Sequence, residues 1–194
     1  MIAEMSPACR GSATIPCTRC CGDTARPSSF GGTEFNIVNA INESGEMAGQ
    51  SGVPGNATVH AAFWKTPKTV VDLGTFPGDS YSLLFAINNK GQNVGASGNS
   101  STQRAALWQN GVGYDLNTLI PPNSRYSLID AIAISDSGII AGGAYDAKTG
   151  AFVSFAAVPT GLRPDRTSLS AVRPVALPPS VIQRIRQHGL RRFL

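Results

Sequence analysis

A short pattern occurs three times in this chain and limits what it can fold into. Ala40-Ile41-Asn42-Glu43-Ser44-Gly45, Ala86-Ile87-Asn88-Asn89-Lys90-Gly91 and Ala133-Ile134-Ser135-Asp136-Ser137-Gly138 each pass from apolar residues through a polar turn to a glycine. A period of about 46 residues marks a repeat architecture, in which one supersecondary unit is stacked on copies of itself. Phe30-Gly31-Gly32-Thr33 and Phe76-Pro77-Gly78-Asp79 keep the same offset, so a unit is already under way at residue 30 and its earlier part is expected before it.

Within a unit the residues read as four short strands. Phe35 to Asn42 forms the first, and Asn42 to Gly45 is a turn whose glycine takes the positive φ that closes a hairpin. Glu46 to Ser51 returns, and a Gly-, Pro- and Asn-rich loop follows. Val59 to Trp64 is the third strand and Val70 to Leu73 the fourth. The second unit repeats the order with Phe85 to Asn88, Asn93 to Ser97, Ala105 to Trp108 and Tyr114 to Leu116. The third opens after a long connection, Asn117 to Asp130, and runs through Ala131 to Ala144 and Gly150 to Phe155, with no fourth strand after Pro159. Four strands in about 46 residues is the spacing of a propeller blade. The expected fold is all-β: antiparallel four-stranded blade-like repeats (about 30–75, 76–120 and 121–159) in a partial β-propeller, with irregular tails. Propellers close with four or more blades, so three units predict a piece of a longer array.

Composition agrees with strands and turns, since only 14% of residues are charged while glycine (21) and proline (13) are plentiful. The net charge of +4 dissolves when divided by region. Residues 30–159 hold six Lys/Arg against nine Asp/Glu, so the repeats are mildly acidic and the excess of base sits in the flanks. No nucleic-acid partner is expected. No apolar run is long enough to span a membrane, and the start has neither the basic residues nor the apolar stretch of a secretory signal. Residues 1–29 carry all four cysteines, Cys9, Cys17, Cys20 and Cys21, in a segment read as disordered or foreign to the fold. Cys17 and Cys20 have zinc-knuckle spacing but lack a second ligand pair, so unpaired thiols are the better reading and no metal or other cofactor is expected. Residues 160–194 are rich in Arg and Pro; Ser180 to His188 can form a short basic helix within a solvated tail.

The units resemble the HAF repeat family of bacterial secreted proteins. His60-Ala61-Ala62-Phe63-Trp64 keeps the histidine, first alanine and tryptophan of the family's triplet and its sequel. Arg104-Ala105-Ala106-Leu107-Trp108 keeps less, and Gly150-Ala151-Phe152-Val153 restores the phenylalanine. Asp72-Leu73-Gly74-Thr75 ahead of Ala86-Ile87-Asn88, and Asp115-Leu116-Asn117-Thr118 ahead of the third unit, match more closely. The likeness covers about residues 30–159. It implies a propeller-like fold and an extracellular or cell-surface location, and it supplies no catalytic residues. Asn117 to Pro122 resembles the family's terminal repeat, which places further repeats before Phe30.

No residue qualifies as catalytic. Asp72 and Asp115 recur once per unit, as turn or strand-end caps do, in preference to a calcium or catalytic site. Trp64 and Trp108 could offer stacking faces to sugars, but a repeated strand position favours packing between units. His60 gives way to Arg104 and Gly150, so it is read as no part of a repeated device. Nucleophile elbows, phosphate loops and metalloprotease helices are absent from the sequence. Sequons at Asn42, Asn56 and Asn99 lie in turn-rich stretches and carry no weight. The expected function is a non-enzymatic extracellular repeat protein that binds a protein or a glycan surface. The alternative is part of a propeller enzyme acting on polysaccharide, with its site in other blades. A third reading gives the piece no function of its own, and its uncovered blade edges would then drive self-association.

Overall fold

The computed structural model describes residues 27–32 and 35–159, together with Pro179, Ser180 and Gln183. The chain is mostly β. Strands β1 (Asn36–Ile41), β2 (Met47–Gly52), β3 (Val59–Thr66) and β4 (Thr69–Asp72) form one antiparallel sheet in sequence order. β5 (Tyr81–Ile87), β6 (Asn93–Gly98), β7 (Gln103–Gln109) and β8 (Val112–Asp115) form a second in the same way. β9 (Tyr126–Ile134), β10 (Ile140–Asp146) and β11 (Ala151–Ala157) make a third, with β10 in the middle. Among the described residues the three sheets close into neither a barrel nor a propeller.

Local chemistry accounts for the hairpins. Asn42 Oδ1 accepts from the N–H groups of Ser44 (3.1 Å) and Glu46 (2.9 Å), and Gly45 takes φ 78° to turn the chain back. Asn88 does the same for Lys90 and Gln92, both at 3.0 Å. Between β7 and β8, Asn110 and Gly111 both have positive φ, 53° and 74°, as a two-residue type I′ turn requires.

A second repeated device shapes each sheet. The first strand slips register at Val38/Ala40, at Leu84/Ala86 and, in the third sheet, opposite Gly142, and a glycine of the second strand lies against each irregularity. A Cβ at Gly49, Gly95 or Gly142 would fall 1.9, 1.8 or 2.0 Å from the carbonyl oxygen of Ile37, Leu83 or Asp130. Only glycine allows that approach.

The sheets stack in chain order, with β5 lying across β1, β2 and β3, and β9 across β5, β6 and β7. The central strands β2 and β6 are therefore buried along nearly their whole length, and their residues are small: Ala48, Gly49 and Ser51 in one, Gly95, Ala96 and Ser97 in the other. Leu84, Ile87 and Trp108 fill the first junction against Ala48 and Ala61, while Leu107, Leu116, Leu128 and Ile140 fill the second. Among the described residues the outer face of the first sheet has no such cover: Ile41 is 65% exposed where its counterpart Ile87 is 8%, and Val38 is 38% exposed where Leu84 is 0%.

The long connection expected over Asn117 to Asp130 is shorter. Leu116–Leu119 forms a 3-10 turn with Asp115 at its N-cap, and β9 begins at Tyr126. The expected basic helix is represented by Pro179, Ser180 and Gln183, which have helical backbone and are exposed. The cysteines and the rest of both tails lie outside the described residues. No helix among the described residues is long and apolar enough to cross a membrane.

Candidate functional site

The repeated hairpin turns stand in a row, and side chains tie each to the next. Asn42 Nδ2 donates to Glu46 Oε2 at 2.8 Å within its own turn and to the Asn88 carbonyl at 3.2 Å in the following unit. Asn88 Nδ2 repeats both contacts, with Gln92 Oε1 at 2.7 Å and the Ser135 carbonyl at 3.0 Å. One residue on, the Glu43 N–H donates to Asn89 Oδ1 (2.9 Å) and the Asn89 N–H to Asp136 Oδ1 (2.8 Å), joined by Asn89 Nδ2 to Asp136 Oδ2 at 2.9 Å. The Asn89 backbone and side-chain amides hold the Asp136 carboxyl below its ordinary value, against the opposing effect of burial and with help from the Lys90 charge. The row changes at the third unit: Ser135 accepts from the Ile139 N–H and pairs with Ser137, and it has no amide to offer onward.

A second constellation corrects the reading of His60. His60 Nδ1 lies 3.1 and 3.0 Å from Asp72 Oδ1 and Oδ2. Arg104, at the matching place on β7, pairs with Asp115 Oδ2 at 3.3 Å. The histidine therefore takes part in a device shared by the first two units, a cross-strand tie between a side-chain nitrogen on the third strand and an aspartate on the fourth. Sequence comparison missed it because residue identity is not kept while the pairing of a side-chain nitrogen with a carboxylate is. In the second unit the tie is buried and enlarged, since Arg104 also reaches Asp79 Oδ1 at 2.9 Å and Asp79 Oδ2 accepts from the Ser97 hydroxyl at 2.8 Å. The aspartates also cap the following turn: Asp72 Oδ1 accepts from the Gly74 N–H and Asp115 Oδ1 from the Asn117 N–H. In the third sheet Asp146 feels burial that raises its pKa, but the Lys148 N–H, Thr149 and the Arg125 charge outweigh it and hold the carboxyl below its ordinary value.

A cleft of about 630 Å³ opens at the turn end of the first junction, between the first and second sheets. Phe63, Val71 and Leu73 line one side and Trp108 and Asn93 the other, with Glu46, Lys65 and Lys90 also in its wall. Trp64 and Trp108 are both buried. Trp64 Nε1 donates to the Ser28 carbonyl, and Trp108 stacks on Phe76 with centroids 5.8 Å apart. Asn93 is 3% exposed; its Nδ2 donates to the Gly91 carbonyl at 3.1 Å, while its Oδ1 has no donor. Nothing in the sequence singled out Asn93. The signal that would have found it is the comparison along the row, where the third unit has the apolar Ile140.

No group of three or more His, Cys, Asp or Glu residues able to hold a metal ion occurs among the described residues. The carboxylates of Asp72, Asp79 and Asp115 are committed to the ties and caps above. Comparison with known proteins adds no assignment: no family model, no curated protein and no solved structure matches the chain.

Proposed function

We propose that the chain is a non-enzymatic, extracellular repeat protein of the HAF type, a propeller-like scaffold that presents a surface to a glycan or a protein. The observation that carries this reading is the Asn42–Asn88–Ser135 row, because it commits the most regular polar residues of the chain to joining units and not to chemistry. The recurring aspartates support it in the same way, each spent on a cross-strand side-chain nitrogen and a turn cap. The exposed outer face of the first sheet supports a place within a longer array, since Ile41 and Val38 occupy the positions that Ile87 and Leu84 use to seal against a neighbour.

Purified protein screened on glycan and protein arrays, with reducing-sugar release followed in parallel, tests the proposal. Binding without turnover is expected. Turnover of a polysaccharide that disappears on replacing a single aspartate would establish the enzymatic alternative instead. Sedimentation at rising concentration tests the array: the uncovered face predicts self-association, and a stable cooperative monomer of residues 30–159 would contradict it.

A further inference from the structure

The two junctions between units are built from matching positions, yet the described residues fill them differently. At the second junction Ile140 packs into the core beside Leu107 and Leu116, and Gln92 Nε2 donates to Gln109 Oε1 at 3.3 Å. At the first, the matching positions hold Asn93, Glu46 and Lys65, which line an open cleft. We propose that this cleft is a binding site for an acidic sugar, a pyranose ring bearing a carboxylate.

Each part of such a ligand has a counterpart. Asn93 is buried, and its Nδ2 is committed to the Gly91 carbonyl, which fixes the amide's orientation and leaves Oδ1 as an acceptor without a donor. A buried acceptor left unmet is costly, and a sugar hydroxyl supplies the missing proton. Phe63, Val71 and Leu73, all partly exposed, give the apolar and aromatic surface on which the C–H face of a pyranose packs, with the buried Trp108 in the wall beside them. Lys65 and Lys90 are exposed in the same wall and form no ion pair among the described residues; Lys90 also lends its charge to Asp136, and both ammonium groups can turn to a ligand carboxylate. Glu46, the one acid lining the cleft, is already held by Asn42 Nδ2. The volume lies within the range of roughly 300–1,000 Å³ usual for small-ligand sites.

This inference rests on the glycan-binding reading above and narrows it to one cleft and one ligand class. The full-length chain is titrated with sodium glucuronate, with glucose and sodium acetate as controls, followed by tryptophan fluorescence and amide NMR spectra. Saturable glucuronate binding is expected, with glucose and acetate each weaker by about tenfold or more. Asn93→Ile, which installs the third unit's residue, should weaken glucuronate by about tenfold while the melting temperature holds or rises. The double change Lys65→Gln, Lys90→Gln should erase the preference for glucuronate over glucose. No saturable glucuronate binding, or an Asn93→Ile protein that binds as well as the parent, overturns the proposal. Should Asn93→Ile lose its fold, the exposed lysine pair decides, and an unchanged preference refutes the site. Failure with glucuronate alongside a positive glycan array removes the cleft and leaves the scaffold reading standing; failure of both removes the glycan reading.

Discussion

Replacing Asn88 by alanine tests whether the row of turns holds the units together. The side chain is buried and makes four hydrogen bonds: two accepted within its turn, one donated to Gln92 and one donated across the junction to Ser135. At about 1 kcal/mol net for each bond, full loss would cost about 4 kcal/mol. The exposed Lys90 lets water replace part of this, which brings the expected loss to about 3 kcal/mol. For a folded region of about 130 residues, 1 kcal/mol moves the midpoint by about 4 °C, so a fall of about 12 °C is expected by calorimetry or circular dichroism. Asn88→Ser separates the two roles. It reproduces what the third unit has at Ser135, whose hydroxyl serves the turn but cannot reach another unit. Its loss should be about half that of the alanine variant, confined to the junction. If Asn88→Ala loses less than about 1 kcal/mol, or if Asn88→Ser is as stable as the parent, the row is an ornament of the turns and not the link between units.

Three further outcomes follow from the same geometry. Gly95→Ala drives a methyl group onto the Leu83 carbonyl and should destabilise by about 3 kcal/mol or abolish folding, whereas Gly111→Ala, with open space around it, should cost only about 1 kcal/mol for its positive φ; both are read by thermal unfolding. Arg104→Met leaves Asp79 and Asp115 buried without their cation and should cost about 3–5 kcal/mol in urea unfolding, and Arg104→Lys should recover only part, because an ammonium cannot fork between two carboxylates. Asp136 is held below its ordinary value of 3.8 by the Asn89 amides, so the folded state binds protons more weakly than the unfolded chain. Its contribution is complete above the unfolded pKa and is lost as pH falls through the lower folded one. Acid titration of stability should therefore be shallower for Asp136→Asn below about pH 4 than for the parent, and an identical slope would refute the assignment.

How far the residues speak for themselves varies with the kind of interaction. The hairpins are legible, because Asn42 and Asn88 followed by Gly45 and Gly91 are a local instruction that a single turn obeys. Most of the strands around them are legible too, within a residue or two, though Tyr81 to Leu84 lay outside the expected strand and Tyr126 to Asp130 escaped because Pro121 and Pro122 suggested a longer loop. Contacts between units are not. That Asn88 Nδ2 reaches a carbonyl 47 residues away depends on how the sheets stack, and a turn-forming asparagine looks the same whether or not its amide reaches a neighbour. The His60–Asp72 and Arg104–Asp115 ties were hidden for another reason: a comparison of letters treats histidine and arginine as a break in the pattern, whereas the carboxylate facing them meets a side-chain nitrogen in both. Asn93 was invisible because a polar residue in a strand is ordinary until burial and the absence of a donor are known.

The tie between turns has a direction. Each asparagine gives an amide proton forward and has its own main-chain oxygen facing backward, so each asparagine-bearing unit presents an acceptor on one side and a donor on the other. A duplicated unit inserted between two others would find both complements waiting, with no new chemistry to invent. The 46- and 47-residue steps from Asn42 to Asn88 to Ser135 show the tolerance of that arrangement, since the connecting loops absorb the extra residue while the bonds differ by only 0.2 Å. A chain assembled on such terms can change length by copying, and a single asparagine-to-serine change is enough to stop the relay.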